Sequence, residues 1–111
     1  MATVDECRDA MHELAARLAS NAEAQSRLDL ERTVACRLTD LGAAFHGRLH
    51  NGQLVDIADG DDPKAKIALS IKSDDFLALT RGDLDLTRAL AGGNLRIKGN
   101  PFDLLKLRKL L

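Results

Sequence analysis

Apolar and polar residues change their spacing several times along this chain, and each change marks the start or end of an element. Val4, Cys7, Met11, Leu14, Ala15 and Leu18 recur at helical intervals, and Thr3 and Glu6 just before them have the spacing of a capping box. The spacing predicts an amphipathic helix through about Ala19, with Asp5, Glu6, Asp9, Glu13 and Arg17 on its solvated side. From Ser20 to Leu28 the period weakens, and a broken helix or loop is expected. Val34, Cys36 and Leu38 then alternate with Ala35, Arg37 and Thr39, the period of a strand with one buried face. After the turn at Asp40-Leu41-Gly42, Phe45, Gly47 and Leu49 share one face of a second strand, and Val55 and Ile57 share a face of a third.

The connection His50-Asn51-Gly52 admits two hairpin registers. A two-residue Asn-Gly turn pairs Leu49 with Leu54 and turns Val55 and Ile57 to the side of His46 and Arg48. A three-residue loop opposes Leu49 to Gln53 and gathers Phe45, Leu49, Val55 and Ile57 on one side. Burial of one face favours the second register. Asp59 to Pro63 is expected to be an acidic surface loop.

From Ile67 onward the start and stop signals are continuous. Ile67, Leu69 and Ile71 give a fourth strand; Ser73 offers a capping hydroxyl, and Asp74 and Asp75 suit the first turn of a short helix ending at Arg81-Gly82. Asp85 caps a second short helix, Leu86 to Ala91, expected to carry Leu86, Ala89 and Leu90 inward. Leu95 and Ile97 restore the two-residue period. Asn100 and Pro101 then open a terminal helix holding Phe102, Leu104, Leu105, Leu107, Leu110 and Leu111.

Comparing strand parities predicts an α+β domain whose sheet has helices on one face and water on the other. Val34, Cys36, Leu38, Phe45, Leu49, Val55, Ile57, Ile67, Leu69, Ile71, Leu95 and Ile97 form the apolar face. Arg37, His46, Arg48, Lys64, Lys66, Lys72, Arg96 and Lys98 lie on the other, with Asp56 its only acid.

The run Asp75 to Leu79, the glycine at Gly82, the Gly-x-Leu-x-Ile-x-Gly strand from Gly93 to Gly99 and the leucine-rich run from Phe102 to Leu111 resemble the sterol carrier protein 2 (SCP2) family. The resemblance implies a five-stranded, mainly antiparallel sheet with helices packed on one face and a hydrophobic cavity between the layers. It also implies an interior ligand: a long-chain acyl group, acyl thioester, sterol-like molecule or isoprenoid. The candidate lining is Val34, Cys36, Leu38, Phe45, Leu49, Ile57, Ile67, Leu69, Ile71, Phe76, Leu79, Leu86, Leu90, Leu95, Ile97, Phe102 and Leu105, with the terminal helix as the natural gate. SCP2-like domains also serve as assembly modules, so a closed core that holds a protein partner is the competing expectation.

Composition narrows this reading. A chain of 111 residues is one domain, and its formal net charge of −1 gives no global field for nucleic acid or membrane. Any electrostatic docking, to a membrane or a protein, must use the local basic face of Arg37, Arg48, Lys66, Lys72, Arg96 and Lys98. No aromatic residue lies among those charges to stack bases, so nucleic acid is not expected. Cys7 and Cys36 are expected to be reduced and buried. The acidic start lacks a secretory core, and the ending Lys109-Leu110-Leu111 departs from the Ser-Lys-Leu of peroxisomal family members, so a cytoplasmic, bacterial protein is expected.

The search for reactive chemistry finds no catalytic residue, metal or cofactor. His46 and His50, four residues apart on one strand, stand ~13 Å apart, too far to share a metal ion. Asp83 and Asp85 have no partner base, and no Gly-Lys-Ser/Thr follows the glycines Gly92 and Gly93.

Overall fold

The capping box predicted at the start of the chain forms reciprocally. The Thr3 amide donates to Glu6 Oε1 (3.2 Å) and the Glu6 amide donates to Thr3 Oγ1 (3.1 Å), opening helix α1 (Val4–Ser20). The computed structural model describes residues 2–20 and 31–100. The expectations for Ser20 to Leu28 beyond residue 20, and for the terminal helix beyond residue 100, lie outside them.

Five strands form one mixed sheet: β1 (Arg32–Leu38), β2 (Ala43–His50), β3 (Gln53–Asp59), β4 (Ile67–Ile71) and β5 (Leu95–Lys98), in the order β3-β2-β1-β4-β5. The β1–β4 pair is parallel and the other neighbours are antiparallel. Two short helices, α2 (Ser73–Thr80) and α3 (Leu86–Ala91), lie between β4 and β5 in the chain. Helix α1 packs on β3 and α2, and α3 packs on β5.

The hairpin register departs from expectation. Asn51 (φ 52) and Gly52 (φ 75) are both left-handed, so the turn has two residues, pairing His50 with Gln53, Leu49 with Leu54 and Arg48 with Val55. Val55 therefore leaves the apolar face, and Leu54, 8% exposed, takes its place. Ile57 stays on that face because β3 contains a bulge. Asp56 adopts φ 57, two residues oppose Gly47, and pairing resumes at His46–Ala58. The extra residue restores the parity that the short turn had reversed.

The cap of α2 also differs. Lys72 occupies the N-cap position without a side-chain bond, and Ser73 is the first helical residue. Both the Ser73 amide (2.8 Å) and its hydroxyl (2.7 Å) donate to the carboxylate of Asp40, which projects from the β1–β2 turn. The anion at this helix terminus is thus delivered across the fold.

The outer sheet face is not simply solvated. His46 Nδ1 lies 3.0 Å from the Gly60 carbonyl, Arg37 Nε lies 2.9 Å from Asp61 Oδ1, and the Lys66 amide donates to Thr33 Oγ1 (3.0 Å). His46, Arg37 and Thr33 have the outward parity of their strands, so the β3–β4 connection runs across this face. Ala35 lies on the same face at 0% exposure, which explains why so small a residue stands there.

Candidate functional site

The apolar face forms one cluster with the inward side of α1. Val34, Cys36, Leu38, Phe45, Leu49, Ile67, Ile71, Phe76, Leu79 and Leu95 are buried together with Cys7, Ala10 and Met11. Ile57, Leu69 and Ile97 are only partly buried against it. Of the remaining predicted lining positions, Leu86 is placed only as the first residue of α3, and Phe102 and Leu105 lie outside the described residues. Leu90 corrects the expectation of an inward side chain: it is 44% exposed, whereas Ala89 is 3% exposed. Helix α3 has six residues, and successive side chains turn by about 100°, so when Ala89 faces the sheet its neighbour cannot.

Burial is uneven across this face. Phe45, Cys36, Leu69 and Ile97 pair in that order across β2, β1, β4 and β5. Phe45 and Cys36 are closed off, at 1% and 0% exposure, while Leu69 and Ile97 are partly open. The flanking residues Ile67 on one side and Ile71 and Leu95 on the other are buried. Among the described residues, the inner face is therefore partly open at Leu69 and Ile97 on its β4–β5 side, near the helix that carries exposed Leu90, as it is at Ile57 on β3.

A concavity lies at the end of the sheet beside the β1–β2 turn. It is an open groove of about 590 Å³ whose lining includes the apolar Val4, Leu38 and Phe45 and the charged Arg37, Asp59 and Asp61. Arg8 stands at this end, donating through Nε (3.0 Å) and Nη2 (2.7 Å) to Asp59, its guanidinium carbon 5.9 Å from the centre of the Phe45 ring. The bond from Arg8 holds the Asp59 carboxyl below its ordinary range and raises the guanidinium above its own. This double bond ties α1 to the end of β3.

The titratable groups inside the cluster are the two thiols. Both are free and buried; burial pushes the Cys36 thiol up to about 12, with the nearby Cys7 adding to the effect, and burial raises Cys7 as well. A thiol held protonated is a small apolar group, not a nucleophile. Among the described residues, no three His, Cys, Asp or Glu side chains gather as a metal site, and no helix is long and apolar enough to cross a membrane. What the arrangement offers chemically is an apolar surface that is incompletely covered at Leu69 and Ile97 on β4 and β5 and at Ile57 on β3.

The sequence pattern does not place Leu54 in the buried cluster, because the hairpin register hides it. The helical period puts Cys7 and Met11 on the inward side of α1, and the structure buries them in the same cluster as the sheet face.

The profile of the SCP-2 sterol transfer family matches residues 11–111. A comparison with curated protein sequences returns no match. Among solved structures, the chain is similar to sterol carrier protein 2 like 2 from Aedes aegypti, with TM-score 0.73, 14% identity, 98% of this chain covered and 100% of that one. The palmitated form of that mosquito protein in solution aligns with TM-score 0.66 and 14% identity, over 91% of this chain and 89% of that one. A UbiJ-SCP2 ubiquinone synthesis protein aligns with TM-score 0.71 and 16% identity, over 94% of this chain and 90% of that one. The stereoselective inverting sec-alkylsulfatase Pisa1 from Pseudomonas sp. aligns with TM-score 0.68 and 24% identity over 88% of this chain. The match spans only 15% of the length of that sulfatase.

Proposed function

Because the chain belongs to the SCP-2 sterol transfer family, we propose that it is a non-catalytic carrier that holds one long-chain acyl, acyl thioester, sterol-like or isoprenoid ligand against the inner face of its sheet. The observation that carries this reading is the row Phe45, Cys36, Leu69, Ile97, which is apolar throughout and loses its cover toward β5. An alkyl chain laid along Leu69 and Ile97 would cover surface that water otherwise wets, a gain of ~25 cal/mol per Å² buried. The candidate lining, including Leu86, Phe102 and Leu105, encloses the rest of the ligand in this proposal. Binding and release involve no bond making, and the raised thiols are consistent with a lining that does not react. The palmitated state of the mosquito protein supports an acyl chain as the ligand class.

Titration with a fluorescent long-chain fatty acid and with a neutral isoprenoid tests the reading. Saturable binding of one ligand per chain is expected. In Leu69→Trp/Ile97→Trp, the added rings occupy the uncovered row, and affinity should fall at least about tenfold, ~1.4 kcal/mol, with the melting temperature held. Equal affinity in the filled variant would place the ligand elsewhere.

A second reading is an assembly module with a closed core. The complete burial of Phe45, Phe76, Leu38, Ile67, Ile71 and Leu95 favours it, as does the likeness to a ubiquinone synthesis protein. It predicts no ligand binding in the same titration.

A further inference from the structure

The outer face of the sheet carries two populations of cations. Arg37 and Arg48 are neutralised, by Asp61 at 2.9 Å and Asp56 at 3.1 Å, because the acidic β3–β4 connection and the β3 bulge lie beside them. Lys66, Lys72, Arg96 and Lys98 are exposed and have no ion pair among the described residues. Ser70 pairs with Arg96 and Ala68 with Lys98 across β4 and β5, so Lys66, Lys72, Arg96 and Lys98 share the outward parity of two adjacent strands. Lys72 belongs with them because its backbone is still extended (φ −74, ψ 153). Among the described residues, the acids of the helical layer, Asp5, Glu6, Asp9, Glu13, Asp74 and Asp75, have no counterpart on this corner.

We infer that this outer β4–β5 corner docks the protein on an anionic lipid bilayer. Its relief decides between a bilayer and a folded partner. The positions between the charges are buried Ala68 and half-buried Ser70, so the exposed groups of this corner are the cations themselves; the chain contains no Trp or Tyr, and the cations are mostly flexible lysines. Stable protein interfaces are anchored by aromatic and arginine side chains seated in pockets. A fluid sheet of anionic headgroups needs only mobile cations on a smooth face, each contributing about fivefold in affinity. The position of the corner gives the docking its use. Arg96 and Lys98 of β5 and the lysines that flank β4, Lys66 and Lys72, are exposed on the outer side, and the partly open Leu69 and Ile97 lie on the inner side of the same two strands, so docking through the β5 edge brings the carrier's open row to the bilayer. This purpose rests on the carrier reading; the docking itself is measured separately.

The test is sedimentation of the full chain with phosphatidylcholine vesicles, with and without phosphatidylglycerol. At about 0.1 M salt, where charges act over ~10 Å, the wild-type chain is expected to bind only the anionic vesicles, and to release them near 1 M, where that distance is ~3 Å. Lys66→Gln/Lys72→Gln/Arg96→Gln/Lys98→Gln should weaken binding a hundredfold or more, and Arg37→Gln/Arg48→Gln less than threefold. The single variants Arg96→Gln and Lys98→Gln, each expected to lose about fivefold, serve if the quadruple variant does not fold. Binding that is indifferent to these four cations, equal loss from the Arg37/Arg48 pair, or preference for polyglutamate beads over anionic vesicles overturns the inference. Ligand titration without vesicles separates the two claims. A chain that holds ligand but ignores anionic vesicles refutes the docking alone, and one that binds the vesicles but no ligand refutes the carrier and upholds the docking.

Discussion

Ser73 is fully buried, yet all of its polar capacity is used: its hydroxyl and amide donate to Asp40, and the Ala2 amide donates to its oxygen (3.1 Å). The Ser73 hydroxyl is the main reason the Asp40 carboxyl titrates below its ordinary value. A carboxyl depressed in the folded state adds stability above its unfolded pKa and loses it as pH falls through the folded value. Ser73→Ala removes the largest cause, so the variant should be less stable at neutral pH and its stability should change less steeply between about pH 4 and the acid limit. Urea unfolding across that range reads both effects; an unchanged acid slope would mean that Asp40 is not linked to Ser73. Sequence alone placed Ser73 at the right helix but in the wrong role, because its partner lies 33 residues away.

At the scale of elements, the periods of two and of about three and a half located α1, the five strands and both short helices, since each signal is local. Cooperation between distant backbone segments was not legible. Burial of one face favours the three-residue loop only if β3 is regular; the two-residue turn forms instead because a bulge restores the parity, and that bulge depends on Asp56 accepting a left-handed φ that aspartate tolerates better than most residues. The crossing of the outer face by the β3–β4 connection was equally hidden, although so small a residue as Ala35 at an outward position was a usable sign of something lying close. Gly47 reports on the bulge directly. A methyl group there would stand 3.2 Å from the Val55 carbonyl oxygen and 3.3 Å from Leu54 Cδ1. Gly47→Ala should therefore cost about 1–3 kcal/mol in chemical denaturation, despite the entropy it removes from the unfolded chain. A neutral result would mean that β3 moves freely past this point.

At the scale of the molecule, the small net charge conceals a separation: among the described residues, acids gather on the helical layer and around β3, and Lys66, Lys72, Arg96 and Lys98 collect without ion pairs at one corner of the sheet. The inner apolar face was legible where it follows strand parity, as at Cys36, Leu69 and Ile97. That legibility failed at Leu90, which the turn of about 100° per residue carries outward beside buried Ala89. The apolar row running from closed Phe45 to open Ile97 is what makes a carrier of this fold plausible as chemistry. An empty cavity of about 300 Å³ would cost on the order of 7 kcal/mol at the rate found for truncated cores, comparable with the whole stability of a small domain. A carrier should therefore gain strongly from its ligand. The direct measurement is native mass spectrometry of the purified chain, with organic extraction of whatever accompanies it and a melting scan before and after delipidation. The account predicts a bound acyl lipid or isoprenoid and a lower melting temperature once it is removed, restored by adding it back. A bare polypeptide mass, with melting indifferent to fatty acids, acyl thioesters and isoprenoids, would contradict it.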